Sequence, residues 1–356
     1  MSKVWLVPAA APRSDEQTHE ALGRLWREAG LGSCFAGRDL AALKLHVGEP
    51  GKTTRVSVAV VAALVGLMRG AGTRPFLTDT AVLYRSARDN GPGHARVAIE
   101  NGFTPEACGA LFIPADGLRG GAQMEIEVRG KHFETVAIAS AIVEARSMLV
   151  LSHATGHLGT GFGGALKNLG MGCCSKKAKL RQHHGHHPRI DAERCTACGT
   201  CAEWCPQGAI EVERAASIDA ATCIGCGECI ASCLEGAVEF DWHIMGVELG
   251  ERIVEHAAAL VRTKPGRIGY VTVAEKITKD CDCIAEAQEP VAPDVGILAS
   301  ADPVAIDQAA CDLVRTRAGR SIEALSYPDR DPGVQMRYAE ELGLGTRSYQ
   351  LEILEP

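Results

Sequence analysis

Blocks of apolar and polar residues alternate along the first half of the chain in a way that predicts strands and helices in turn. Lys3–Val7 reads as a strand. Ser14 is placed to cap a helix running to about Gly30, with Leu22, Leu25 and Trp26 on one face. Leu43–Val47 predicts a second strand, and Ser57 to Arg69 a helix. Arg74–Leu77 and Ala110–Ile113 predict short strands on either side of a helical stretch near His94–Asn101. Met124–Val128 and His132–Ile138 predict an edge hairpin, and Ser147–Ser152 a buried strand entering a glycine loop. The pattern breaks near Pro188 and resumes after Trp242. There Glu248–Arg262 predicts a helix, Ile268–Val273 and Val295–Ser300 strands, and Pro303–Arg315 a helix. Such alternation implies an α/β sheet.

The interruption carries an internal repeat. Ile190-Asp-Ala-Glu-Arg-Cys-Thr-Ala-Cys-Gly-Thr-Cys is echoed by Ile218-Asp-Ala-Ala-Thr-Cys-Ile-Gly-Cys-Gly-Glu-Cys, and each copy goes on to a Gly-Ala-aliphatic triplet, at Gly208 and Gly236. The expected architecture is a discontinuous α/β sheet domain, residues 1–187 and 243–356, with an α+β domain inserted at 188–242. Surface insertions are tolerated when the two ends lie close together.

Eight of the fifteen cysteines fall within this insert, as Cys195, Cys198, Cys201, Cys205 and Cys223, Cys226, Cys229, Cys233. Both runs have the spacing C-x2-C-x2-C-x3-C. Three closely spaced thiolates can wrap one Fe4S4 cube, while the fourth sits on the next helical turn and points away. In bacterial two-cluster ferredoxins that fourth cysteine serves the other cube. The expected ligand sets are therefore Cys195, Cys198, Cys201 and Cys233 for one [4Fe–4S] cluster, and Cys223, Cys226, Cys229 and Cys205 for the second. Zinc ribbons and disulfides are the competing readings. Zinc prefers paired CxxC motifs, and disulfide scaffolds are short chains. Pro206 follows the first run, and Leu234 takes that place in the second.

Composition narrows the partners. The chain of 356 residues is long enough for roughly two domains. A net charge of −7 and only 4% aromatic residues argue against nucleic-acid binding through phosphates or base stacking. The longest apolar run, Val56–Met68, is too short to span a bilayer, and a cytoplasmic location is expected. Ten acids and three arginines lie in 188–242, whereas 165–187 holds Lys167, Lys176, Lys177, Lys179 and Arg181 and no acid. An acidic carrier beside a basic stretch suggests docking or anion binding. A solvated basic stretch is the plain alternative.

Candidate chemistry outside the insert centres on the glycine loop. Gly161, Gly163 and Gly164 precede Lys167 at the end of a buried strand, where α/β sheets bind ligands. A cradle of backbone amides for an anionic small molecule or cofactor, or for an additional metal, is expected there. A tight packing turn is the competing reading. The run of basic residues predicts a lowered proton affinity for Lys167. His153 and His157 flank the loop, and His183, His184, His186 and His187 follow it. Cys281–Cys283 and Cys173–Cys174 are spare thiol pairs, while Cys34, Cys108 and Cys311 read as small buried hydrophobes.

Several segments together resemble a family known as a domain of unknown function, or "Fe–S center protein". They are Lys44-Leu-His-Val-Gly-Glu, Phe76-Leu-Thr-Asp-Thr with Leu83-Tyr84, Gly161-Phe-Gly-Gly-Ala-Leu-Lys-Asn-Leu-Gly-Met-Gly, Asp280-Cys-Asp-Cys, Asp294-Val-Gly-Ile-Leu-Ala-Ser and Asp302-Pro-Val-Ala-Ile-Asp307. The loop from His157 to Lys167 also resembles, distantly, the nickel-pincer lactate racemase motif. In that family a glycine pair precedes a cofactor-bearing lysine, with histidines ten residues before it and sixteen after. The matching positions here are His157 and His183, and His94 resembles an upstream histidine.

The expected function is an iron–sulfur electron-transfer protein or oxidoreductase. Its insert would take electrons from, or give them to, a redox partner protein and relay them to a site at His157, Lys167 and His183. The alternatives are a racemase-like hydride-shuttling enzyme at those residues, or an electron- or metal-delivering assembly factor.

Overall fold

A computed structural model describes residues 1–9, 13–183, 187–240 and 245–354. Eight strands form one sheet: β1 Ser2–Pro8, β2 Leu40–Lys44, β3 Arg74–Asp79, β4 Phe112–Pro114, β5 Ser147–His153, β6 Ile268–Ala274, β7 Gly296–Ser300 and β8 Tyr349–Ile353. Their order is β8-β1-β7-β6-β5-β2-β3-β4. Only β7 runs against its neighbours, so the sheet is mostly parallel. β2, β3 and β4 step outward in one direction, while β5 and β6 lie on the other side of β2. The order therefore reverses between β2 and β5, the place where open α/β sheets bind ligands.

Helices cover both faces. On one side lie α1 Asp15–Glu28 and α2 Val58–Gly70. They pack Leu22, Leu25, Leu64 and Met68 against Leu43, Leu149 and Leu151. On the other lie α4 Ala165–Gly170, α6 Val247–Thr263 and α7 Pro303–Ala318. There Leu169, Leu260 and Ile306 meet Met148 and Val150. The alternation along β5 is the period-two pattern of a strand buried on both faces. Shorter helices are α3 Gly91–Glu100, α5 Lys176–His183 and α8 Gly333–Glu341. Ser14 and Gln17 close a reciprocal capping box on α1.

Three expectations shift. The second strand is Leu40–Lys44, not Leu43–Val47: the chain leaves the sheet where Lys44 turns into the interior. The expected edge hairpin is a separate ladder, Gln123–Glu127 with Thr135–Ala139, because Val136 packs under Ala258 and Ala259 of α6. The basic stretch 165–187 is largely the two helices α4 and α5, in which Lys176 and Lys179 are buried rather than solvated.

Between α5 and α6 the chain leaves the sheet. Arg189–Ile190 pairs with Val238–Glu239, so the two ends of the cysteine-rich segment lie side by side. Within it Ile210–Val212 pairs with Ala216–Ile218, and Thr200–Glu203 and Glu228–Ser232 are short helices. The sequence repeat becomes a structural one. Asp191 N–H donates to Ala237 O and Asp219 N–H to Ala209 O, both at 2.8 Å. Ala209 N–H and Ala237 N–H each lie 3.3 Å from a sulfur, of Cys205 and Cys233 respectively. Trp242 and His243, at the expected far boundary, lie outside the described residues.

Candidate functional site

Two apolar strands end on opposite charges at the same edge of the sheet. Lys44 closes β2 and Asp79 closes β3, and their side chains pair at 2.8 Å with 1% and 4% of their surfaces exposed. Lys44 Nζ also donates to Leu45 O at 2.9 Å and to Asn168 Oδ1 at 2.7 Å, which uses all three of its protons. Asn168 in turn donates to Leu151 O and Ser152 Oγ, so α4 is tied to the ends of β2 and β5. Burial alone would push the Asp79 carboxyl up. Lys44, His94 and His46 outweigh burial and hold it well below the usual range. His94 lies 3.5 Å from Asp79, and burial lowers its proton affinity to about 4. At neutral pH the ring is neutral, so this contact is not an ion pair, and neither ring nitrogen of His94 has a hydrogen-bond partner among the described residues. His94 sits beneath the cleft and does not line it.

Above this pair opens a cavity of about 120 Å³, lined by residues of β2, β3, β5, α4, α5 and the loop Cys281–Cys283. Lys167 and His183 line it. His157 stands just behind, close enough that Lys167, Cys283 and His183 all act on its charge. Burial and the Lys167 ammonium hold His157 well below its ordinary value. Thr160 N–H donates to His157 Nδ1 at 3.1 Å, which leaves Nε2 to carry the proton of a neutral ring. The structure thus brings His157, Lys167 and His183 together. His153 also lines the cavity and is held there with Nδ1 3.0 Å from Asp282 Oδ2. His187 is exposed, and His184 and His186 lie outside the described residues.

The glycine loop does something other than expected. A Cβ at Gly164 would collide with the Asp307 carboxylate. That carboxylate accepts from Ala165 N–H at 2.7 Å and Leu166 N–H at 2.9 Å, so the amides an anion cradle would use are already taken by the protein. Gly161, at φ +77°, packs against Arg330 and does not line the cavity. Gly163 does line it, facing Thr155 and the Lys167 stem. The expectation for Lys167 is also reversed. Burial lowers its proton affinity, but Cys281 and Cys283 outweigh burial and hold the ammonium above its ordinary value. The basic run of the sequence does not surround Lys167; two thiols and Asp282 do.

In the cysteine-rich segment one small cavity is lined by Cys195, Cys198, Cys201 and Cys233, and another by Cys205, Cys223, Cys226 and Cys229. Burial and the neighbouring Cys226, Cys223 and Cys201 push the Cys229 thiol up to about 12. Four such thiols ionise together only beside a cationic group, and coordination to a metal deprotonates a thiol outright. Among the described residues, no three His, Cys, Asp or Glu side chains are close enough to share one metal ion. Four thiols around each cavity are the donor set that a [4Fe–4S] cluster takes. The segment docks on α5. Lys177 pairs with Glu228, a Cβ at Gly227 would press on Lys177 and Leu180, and Leu83 and Leu180 pack with Cys201 and Cys229. Leu83 also lines the cavity above the sheet.

The profile of a family described as "Domain of unknown function (DUF362)" matches residues 41–312. The chain belongs to that family. A search of curated proteins finds no match. Among solved structures, the lactate racemase apoprotein from Thermoanaerobacterium thermosaccharolyticum is similar at 10% identity and a TM-score of 0.39, over 77% of this chain and 50% of that one. A Thermotoga maritima protein is similar at 10% identity and a TM-score of 0.44, over 86% of this chain and 60% of that one. This chain thus spans half to three fifths of the length of those two proteins. No helix among the described residues is long and apolar enough to cross a membrane.

Sequence reasoning assigned no role to Lys44, His46, Asp79 or Arg88 and took Lys179 only as part of the basic stretch; all five line the same cavity of this DUF362 chain. The signal was present for two of them. A charged residue at the end of an apolar parallel strand stands at the ligand-binding edge of the sheet. Lys44 after Leu40-Ala-Ala-Leu and Asp79 after Phe76-Leu-Thr are such residues.

Proposed function

We propose that this chain is an iron–sulfur oxidoreductase. Residues 188–242 would form an inserted domain that holds two [4Fe–4S] clusters in the crossed sets Cys195/Cys198/Cys201/Cys233 and Cys205/Cys223/Cys226/Cys229. When bound, such clusters accept and donate single electrons. The observation that carries the proposal is the pair of four-thiol cavities, each drawing three cysteines from one run and one from the other. Leu83 and Leu180 support a short path inward, since both pack against the cysteines and Leu83 also faces the cavity of the sheet. In that cavity Lys167 and His183 would hold an anionic small molecule, and the neutral His157 would accept or supply a proton. Exposed Ile224 and Leu234, beside Cys223 and Cys233, would offer apolar contacts to a redox partner protein.

The convergence of His157, Lys167 and His183 also supports a second reading, a racemase-like hydride-shuttling enzyme. Metal analysis separates the two, because extra metal retained at a Lys167-dependent site favours the second. The crossed ligation is tested by Cys205→Ser. In anaerobically purified protein this change should alter the electron paramagnetic resonance of the cluster held mainly by the second run and leave the other intact. Loss of the cluster of the first run instead would overturn the assignment.

A further inference from the structure

We propose that Cys281 and Cys283 are a redox-active dithiol that reduces a small anionic disulfide bound in the cavity. The inference deepens the reading above, on which it rests only for re-reduction of the pair. Both residues line the cavity with one residue between them. Lys167 lines it with them, close enough to act on the charge of both, and His46 Nε2 lies 3.4 Å from Cys283 Sγ. The intervening Asp282 also lines the cavity and is anchored to His153 at 3.0 Å. The backbone of the pair is pinned as well: Tyr84 Oη donates to Cys283 O at 3.0 Å, Glu49 N–H to Asp282 O at 3.2 Å and Ile284 N–H to Cys281 O at 3.0 Å. Two thiols held in one cavity with an ammonium and an imidazole meet the requirements of a nucleophilic thiolate with its resolving partner.

The other thiols outside the cysteine-rich segment lack this setting. Cys173 and Cys174 are fully buried, and Cys174 donates to Gly170 O at 2.9 Å. Burial pushes the Cys173 thiol up to about 12 and the Cys108 thiol up to about 11. Among these thiols Cys283 alone is held well below the ordinary value, by the neighbouring Cys281 against the cost of burial, and by Lys167 and His46. Lys167, Lys179 and His183 around the pair select for negative charge on the substrate.

The step balances as follows. The Cys283 thiolate attacks one sulfur of RS–SR, forming a Cys283–S–S–R bond and releasing RS⁻. Cys281 then attacks the Cys283 sulfur, its proton passes to the released RS⁻, and the second RS⁻ leaves. Two electrons have moved from the cysteine sulfurs to the substrate, and a Cys281–Cys283 disulfide remains. Two electrons and one proton restore the starting pair, and on the reading above the electrons arrive singly from the cysteine-rich segment.

The test uses the full chain, purified anaerobically, with its iron content measured on the same sample. Glutathione disulfide is the anionic probe and 2-hydroxyethyl disulfide the uncharged comparator, followed by alkylation and peptide mapping that separates Cys311. The wild-type protein should lose two hydrogens across Cys281–Cys283, faster with the anionic probe. Cys281→Ser should accumulate glutathione on Cys283, and Cys283→Ser should react at least ~10-fold more slowly. Unmodified Cys281 and Cys283 in an iron-loaded sample would overturn the dithiol while leaving the cluster reading intact. Formation of the disulfide in protein that binds no iron would support the dithiol and overturn the cluster reading.

Discussion

Replacing Lys44 by Met removes the cation at the centre of the site while nearly preserving side-chain volume. Asp79 then keeps His94 at 3.5 Å, Arg88 at 3.7 Å and the Thr80 N–H at 2.9 Å. Leu45 O and Asn168 Oδ1 lose their donor. Removing one partner of a buried ion pair costs ~3–5 kcal/mol. The lower end applies here, because Arg88 and the Thr80 N–H still face the carboxylate. Urea unfolding of the anaerobic protein at neutral pH should show this loss. The sign with pH follows from Asp79. Its folded value is depressed, so its contribution is present above the unfolded value of ~3.9 and is lost as pH falls through the folded value. The gap between wild type and Lys44→Met should therefore be widest at neutral pH and narrow in acid. Adding Asp79→Asn to Lys44→Met removes the stranded charge and should recover ~1–3 kcal/mol. A loss under ~1 kcal/mol, or a double variant no more stable than the single one, would refute the reasoning.

Asp307→Ala should strand two buried amides at the start of α4 and cost ~1–3 kcal/mol for each, read as a lower unfolding midpoint. Lys167→Ala should abolish stabilisation of the protein by glutathione disulfide in a thermal shift. Lys177→Ala removes only a part-exposed ion pair, should cost no more than ~1 kcal/mol, and should keep that stabilisation. Excising 188–242 with a short Gly/Ser bridge should leave a folded α/β domain by circular dichroism, because the paired ends at Ile190 and Val238 lie together. The newly exposed Leu83 and Leu180 should lower its stability by ~1.5–3 kcal/mol each.

Elements with a strong local signature were legible from sequence. The capping box at Ser14 and Gln17 announces α1, and the apolar run Met148–Leu151 announces β5. β8 was not, because Tyr349-Gln-Leu-Glu-Ile is short and gains its stability from pairing with β1, nearly the whole chain away. α5 was hidden for a related reason. Lys176 and Lys179 are buried beside Leu180, so the helix shows no polar face opposite an apolar one. The two sets of four cysteines expected from the C-x2-C-x2-C-x3-C spacing and the crossed pattern of two-cluster ferredoxins are the sets that line the two small cavities. The surroundings of Lys167 could not be read in this way. Asp307 and the Cys281–Cys283 pair reach it from more than a hundred residues downstream, and they turn a seemingly basic cradle into a site that already holds its own carboxylate and thiols.

The most direct measurement is iron and acid-labile sulfide per chain after anaerobic purification and full reconstitution, with electron paramagnetic resonance of the dithionite-reduced protein. The account predicts about eight of each and the spectrum of two interacting cubes. About four, or a stoichiometric zinc content with no sulfide, would contradict it.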